Sequence, residues 1–264
     1  MREEKMQLTQ VVAALHLAIY GPTTEMVQSQ TALKALVWRQ NKIIPPGCAE
    51  SVAAMLQDTP GYDISVTYVG PDQDTKLPDD LLNSADIFAY PGGTDVDDAW
   101  PYLQPLAQSM RNFVSSGGRY IGVCLGAYLA GADIDDEPGK GFDLLPGHAT
   151  TDSETDQDGA QVMDPDEDTV IRVDYTWGSG PKAGQTVKDR DMYFQDGAVI
   201  DLPDKSLAKI LGRYSSNGDV AISVSPYGKG FVGVSGVHLE ADESWCESAH
   251  ILIHWSSAST HCDP

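Results

Sequence analysis

Tyr120-Ile121-Gly122-Val123-Cys124-Leu125-Gly126-Ala127-Tyr128 decides how this chain is read. An apolar run, Tyr120 to Val123, stops at a cysteine with glycines two residues before and two after it. Leu125 to Ala130 then offers a short run of small, helix-compatible residues. Strand, one strained residue, helix is the pattern of a nucleophile elbow, in which a side chain at either glycine would collide across the turn. The elbow lifts the thiol out of the sheet and aims it at the start of the following helix, whose positive end favours thiolate. The bland reading is a small core cysteine, since free cysteine is among the most buried residue types.

Two distant segments weigh against the bland reading. Tyr90-Pro91-Gly92-Gly93 follows the apolar run Ala85 to Ala89. It supplies flexible backbone at a strand end, where the amides of Gly92 and Gly93, with that of Leu125, are expected to hold an oxyanion. Val234-Ser235-Gly236-Val237-His238-Leu239-Glu240 supplies a base and a carboxylate. If that segment is extended, His238 and Glu240 point the same way. Cys124, His238 and Glu240 then fill the three roles of nucleophile, proton carrier and orienting acceptor.

With these residues in this order, the chain resembles the class I glutamine amidotransferase superfamily. Ala89 to Asp95, Arg111 to Tyr120 and the elbow are similar to one branch of it. That branch is the amidotransferase-like domain at the N-terminus of fungal biotin–protein ligases, with its stand-alone relatives. The similarity runs over Lys34 to Trp245 and implies a flavodoxin-like α/β fold: a parallel sheet, helices on both faces, and a nucleophile elbow. Working glutaminases of the superfamily usually carry His-Gln after the second elbow glycine; here Ala127-Tyr128 stand there. The usual His-Pro-Glu is His238-Leu239-Glu240. The resemblance thus implies a retained triad without the glutamine-recognition pair, and Tyr128 narrows the pocket if it points inward. With the sequence ending at Pro264, a stand-alone form is expected, with neither a ligase catalytic domain nor an ammonia-accepting synthetase domain.

The 264 residues carry 39 acidic against 17 basic side chains, a formal net charge of −22. That opposes binding to phosphate backbones and anionic membranes, which depend on basic patches. Leu8 to Tyr20 is mostly apolar but falls short of the ~20 residues that span a bilayer. Residues 1–30 read as a secretory signal, with a cut near Gly21, or as an N-terminal helix. The stand-alone fungal relatives often carry such a signal. Secretion is the first expectation and a cytoplasmic location the alternative. Cys48, Cys124, Cys246 and Cys262 include no Cys-x-x-Cys pair, which argues against structural zinc. A secreted form is expected to carry one disulfide, with Cys246–Cys262 the first choice and Cys48 with either the alternative.

Along the chain, Ala32 to Trp38, Ile64 to Val69, Ala85 to Tyr90 and Arg119 to Val123 read as strands. Gly47 to Gln57, Leu77 to Asn83 and Trp100 to Ser116 read as the helices between them. Alternating strands and helices imply a parallel sheet whose ligands bind beyond the strand C-termini. From residue 133 the pattern changes. Asp133 to Lys140 and Asp152 to Asp168 read as acidic loops. Six short runs follow: 170–175, 192–194, 198–202, 208–214, 221–224 and 230–235. They read as a β-rich, mainly antiparallel extension, the last run presenting His238, and a helix over 244–255 closes the chain. Residues 31–264 are taken as one domain.

The acidic loops lack EF-hand spacing, and no metal site or cofactor is expected. Asp95 is a candidate for the pocket rim, and Gln195 or Asp196 for a polar turn at the active face. Two functional readings stand. One is a thiol-dependent hydrolase or amidotransferase-like enzyme acting on a small amide or related carbonyl. The other is a non-catalytic binding or regulatory domain with a reactive cysteine. The expected partner is a small molecule, with no nucleic acid and no membrane span; oligomeric state is not readable from the sequence.

Overall fold

The computed structural model describes residues 31–134, 138–178 and 182–241. Residues 1–30, the 244–255 helix, Cys246 and Cys262 lie outside the described residues. The first half alternates as expected: β1 (Thr31–Trp38), α1 (Cys48–Gln57), β2 (Tyr62–Val69), α2 (Asp79–Asn83), β3 (Ile87–Tyr90), α3 (Val96–Leu103), α4 (Ala107–Ser115) and β4 (Arg119–Val123). The second half holds β5 (Thr150–Ser153), β6 (Thr169–Thr176), β7 (Thr186–Phe194), β8 (Ala198–Asp201), β9 (Lys209–Tyr214), β10 (Val220–Tyr227) and β11 (Gly230–Ser235).

Nine strands form one sheet in the order β2-β1-β3-β4-β11-β10-β9-β6-β7. The run β2-β1-β3-β4-β11 is parallel, and everything beyond β11 is antiparallel. β3 is buried at all four residues, and β4 at every residue but Arg119. Strands covered on both faces read as unbroken apolar runs, which is why Ile87-Phe88-Ala89-Tyr90 shows no polar alternation. β11 brings the chain back beside β4, with Ser235 level with Val123. That crossover puts the residues after β11 next to the elbow, though more than a hundred positions separate them in sequence.

Three expectations need correction. The helix expected over 100–116 is two helices, α3 and α4, with a 3-10 turn at Gln104–Leu106 between them. Pro105 sits in that turn; a proline lacks the N–H and crowds the carbonyl four residues back. The acidic stretch from Asp152 is not all loop, because β5 pairs antiparallel with β8 in a separate two-stranded sheet. The run at 192–194 is only the end of β7, an exposed edge strand whose Lys188-Asp189-Arg190-Asp191 hid it from an apolar count. Charges on an edge strand discourage pairing with other chains.

Below β5 the 3-10 turn Glu154–Asp156 carries a carboxyl into the interior. Glu154 is fully buried. Its Oε1 accepts the Gln161 N–H, and its Oε2 has no partner among the described residues. Burial pushes its carboxyl up to about 7; the Gln161 N–H opposes this and Asp219 adds to it. A carboxyl raised in the folded state favours folding below its unfolded value of about 4.3, and that contribution is lost as pH rises through the folded value. Glu154→Gln removes the titration and keeps the shape. The variant is expected to unfold at higher temperature than wild type above neutral pH, by about 2 kcal/mol, with the gap closing toward pH ~5. Paired thermal melts across that range check it.

Candidate active site

Cys124 has φ 49 and ψ −109, a conformation that L residues seldom adopt. Its N–H donates to the Ser235 carbonyl at 2.8 Å, so β11 holds the bend. Tyr120 Oη donates to the Gly126 carbonyl at 2.7 Å across the turn. A Cβ on Gly122 would lie 2.2 Å from that same carbonyl, and a Cβ on Gly126 would lie 2.2 Å from the Tyr90 carbonyl. Both glycines are therefore required by close backbone approach. The helix expected over 125–130 is shorter, one turn at Leu125–Tyr128, which we label α5. One turn carries little dipole, so charge at the thiol falls to side chains.

His238 supplies that charge. It follows β11 by three residues and is 8% exposed. The expectation that His238 and Glu240 share an extended segment is corrected: Leu239–Ala241 is a 3-10 turn. The turn still brings Glu240 Oε1 within 2.8 Å of His238 Nδ1. Burial pulls the imidazole down. Hydrogen bonds and charge from Cys124 and Glu240 outweigh it and hold His238 well above its usual 6.5. The second Glu240 oxygen is buried without a partner among the described residues. The His238 backbone N–H donates to the Tyr193 carbonyl at 3.0 Å, and the Tyr193 ring packs edge-on against the imidazole at 5.1 Å.

The glycine loop closes over these groups. A Cβ on Gly92 would lie 2.6 Å from His238 Cε1 and 3.5 Å from Cys124 Cβ. Among the described residues, no acceptor takes the N–H of Gly92 or Gly93. Leu125 opens α5, where the first N–H groups lack intrahelical partners. Gly93, Cys124, Leu125, Tyr128 and Asp95 all line one cavity of about 490 Å³, which also takes in Gln195 and Asp196. Asp95 is at its wall and also caps α3 through Asp97 N–H. Tyr128 does point inward, and its hydroxyl donates to the Asp196 carbonyl at 3.2 Å. Burial first, then the Asp196 charge, raises that phenol well above its usual value.

One neighbour escaped the sequence reading. Cys48, at the start of α1, is half-buried; burial raises its thiol, while His238, Glu240 and Cys124 all act on it. Nothing in its local sequence signals this, because α1 reaches the site only through tertiary packing. Among the described residues no group of His, Cys, Asp or Glu is arranged to hold a metal. No helix there is long and apolar enough to cross a membrane.

The comparisons with known proteins agree with this architecture. The structure superimposes on a crystal structure of a glutamine amidotransferase with a TM-score of 0.57 and 14% identity, covering 84% of this chain and 98% of that one. A glutamine amidotransferase from Thermotoga maritima gives 0.49 and 14% identity over 80% of this chain and 77% of the other. The fold is that of the class I glutamine amidotransferase-like proteins. Residues 48–144 match the family described as biotin-protein ligase, N terminal, and the chain resembles that domain. The match holds the glycine loop and the elbow and ends before His238. No curated protein matches the chain.

Two outcomes follow from this geometry. Gly122→Ala is expected to cost about 3 kcal/mol or more, because the methyl group meets backbone rather than a movable side chain. Gly139→Ala has open space at Cβ and serves as the comparison in urea melts, its cost limited to the strain at φ 79. Glu240→Gln removes one partner of a buried pair, for a loss of about 3 kcal/mol at neutral pH. Because His238 is raised, that stabilisation is present below its folded value and fades as pH rises through it. The difference between wild-type and Glu240→Gln melts is therefore expected to shrink on the alkaline side.

Proposed function

We propose that the chain is a thiol hydrolase or amidotransferase-like enzyme acting on a small amide or related carbonyl compound. The observation that carries this is the placement of His238 between the Cys124 thiol and the Glu240 carboxylate. Cys124 Sγ attacks the carbonyl carbon, and the carbonyl π pair moves to oxygen. The N–H groups of Gly92, Gly93 and Leu125 receive that oxyanion. The oxyanion collapses and the C–N bond breaks, its electron pair taking the His238 proton, so the amine departs and an acyl-thioester remains. Water then gives a proton to His238 and its oxygen to the acyl carbon, releasing acid and free thiol. Glu240 keeps the imidazole in the tautomer and orientation both steps need.

A second reading, a binding or regulatory domain with a reactive cysteine, draws on one observation. Ala127-Tyr128 occupy the positions after the elbow glycine, and the Tyr128 hydroxyl is tied to the Asp196 carbonyl. With its one hydroxyl proton given to that carbonyl, the phenol has no donor left to offer a substrate amide, whereas a glutamine side chain offers both donor and acceptor.

Cys124→Ala and His238→Ala are each expected to lower turnover of a small amide by about a thousandfold or more. Iodoacetamide labelling separates the readings without a known substrate. The enzyme reading expects Cys124 labelling at neutral pH to fall about tenfold or more in His238→Ala. A rate at Cys124 indifferent to His238 favours the binding domain. Free glutamine is expected to release little ammonia, and robust release abolished by Cys124→Ala overturns the weight given to Tyr128.

A further inference from the structure

We propose that the substrate carries a positive charge, an ammonium or guanidinium a few bonds from the scissile carbonyl, and that Asp196 receives it. The proposal rests on the reading of Cys124 as nucleophile and adds the substrate class to it.

The Gln195-Asp196 turn forms part of the cavity wall, together with Gly93 of the glycine loop. Its two carbonyls are already used: that of Gln195 faces the Cys124 thiol at 3.6 Å, and that of Asp196 accepts the Tyr128 hydroxyl. Asp196 has φ 42, a left-handed conformation that Asp and Asn tolerate better than most residues. Its Oδ1 accepts two hydroxyls, from Ser153 at 2.5 Å and from Thr155 at 3.2 Å. Ser153 and Thr155 are themselves buried with their hydroxyl oxygens 2.7 Å apart, so the Thr155 proton is shared between Ser153 and Asp196. The carboxylate is thus fixed through one oxygen, and Oδ2 has no partner among the described residues.

The rest of the wall adds to the same sign. Among the described residues, Asp95, Asp97 and Asp166 line the cavity with Asp196, against Lys140 as the one basic residue. Lys140 is engaged by Asp97. A wall of acceptors with a fixed carboxylate complements a donor carrying positive charge and repels a carboxylate-bearing ligand. Among the described residues of that wall, a substrate carboxylate meets only Lys140, which Asp97 already engages.

Methanethiosulfonates bearing aminoethyl, hydroxyethyl or sulfonatoethyl groups test this on the full-length protein. Each transfers its RS group to the Cys124 thiolate and releases methanesulfinate, so the three differ in charge and not in chemistry. Rates at Cys124 are read by site-resolved mass spectrometry and divided by the rates of a small free thiol. The expected order is aminoethyl, hydroxyethyl, sulfonatoethyl, with the first about tenfold or more above the second. Asp196→Asn keeps the hydroxyl acceptor and tolerates the backbone angle, and it is expected to bring that ratio down by about tenfold. Asp63→Asn, at an exposed position of β2, removes one charge elsewhere and is expected to leave the ratio unchanged. An unchanged ratio in Asp196→Asn, an equal loss in Asp63→Asn, or a wild-type preference for the neutral or anionic reagent overturns the proposal. The dependence of the neutral reagent on His238 reports separately on the triad, so failure of one reading does not hide failure of the other.

Discussion

The backbone bend at Cys124 is the constraint on which the rest of the site depends. A residue at φ 49 between two close backbone crossings is held only because its neighbours fix it from several sides. β11 takes its N–H, Tyr120 ties the Gly126 carbonyl, and Gly122 and Gly126 leave room for the crossings. Strain of this kind costs about 1–3 kcal/mol and persists where surrounding packing imposes it. The packing here is the buried centre of the sheet, β3 and β4, with β11 closing the parallel set. The same strand that holds the bend delivers His238. Fold and site are therefore set by one crossover.

Electrostatics then decides the state of the site. The single turn of α5 is too short to polarise the thiol by itself. The larger effect is the buried chain from Glu240 through His238 to Cys124, in which imidazole charge is favoured despite burial. Glu240 has one oxygen on His238 and one without a partner among the described residues. An incompletely satisfied buried carboxylate is costly unless its counter-charge stays in place. That cost couples Glu240 to the protonated imidazole, and a neutral His238 would leave it uncompensated. Asp196 contrasts with it: two hydroxyls fix one of its oxygens at the cavity wall.

What could be read in advance followed from local pattern. The apolar runs of Ala35 to Trp38 in β1, of β3 and of β4 have no polar alternation because both faces are covered, and the strand edges were legible within two residues. The glycines around Cys124 and the Pro91-Gly92-Gly93 loop mark backbone that must pass close to other backbone, so the elbow was legible too. Pro105 was visible, yet the apolar periodicity over 100–116 masked the break it causes. β5 and most of β7 were missed because Thr150-Thr151-Asp152-Ser153 and Lys188 to Asp191 pair by backbone and carry polar side chains, those of Thr151 and Ser153 buried on hydrogen-bond partners from other segments. The nearness of Cys48 to His238 and the fixing of Asp196 by Ser153 and Thr155 are products of tertiary packing between distant segments. Local pattern carries no trace of either.

The central claim is that His238 is held protonated by its neighbours on both sides. An NMR titration of the His238 ring, assigned by comparison with His238→Ala, tests this most directly. The account predicts a wild-type midpoint well above 6.5 that falls toward that value when Cys124 or Glu240 is replaced by its uncharged counterpart, Ser or Gln. A wild-type midpoint at or below 6.5, or one that neither substitution moves, would contradict it.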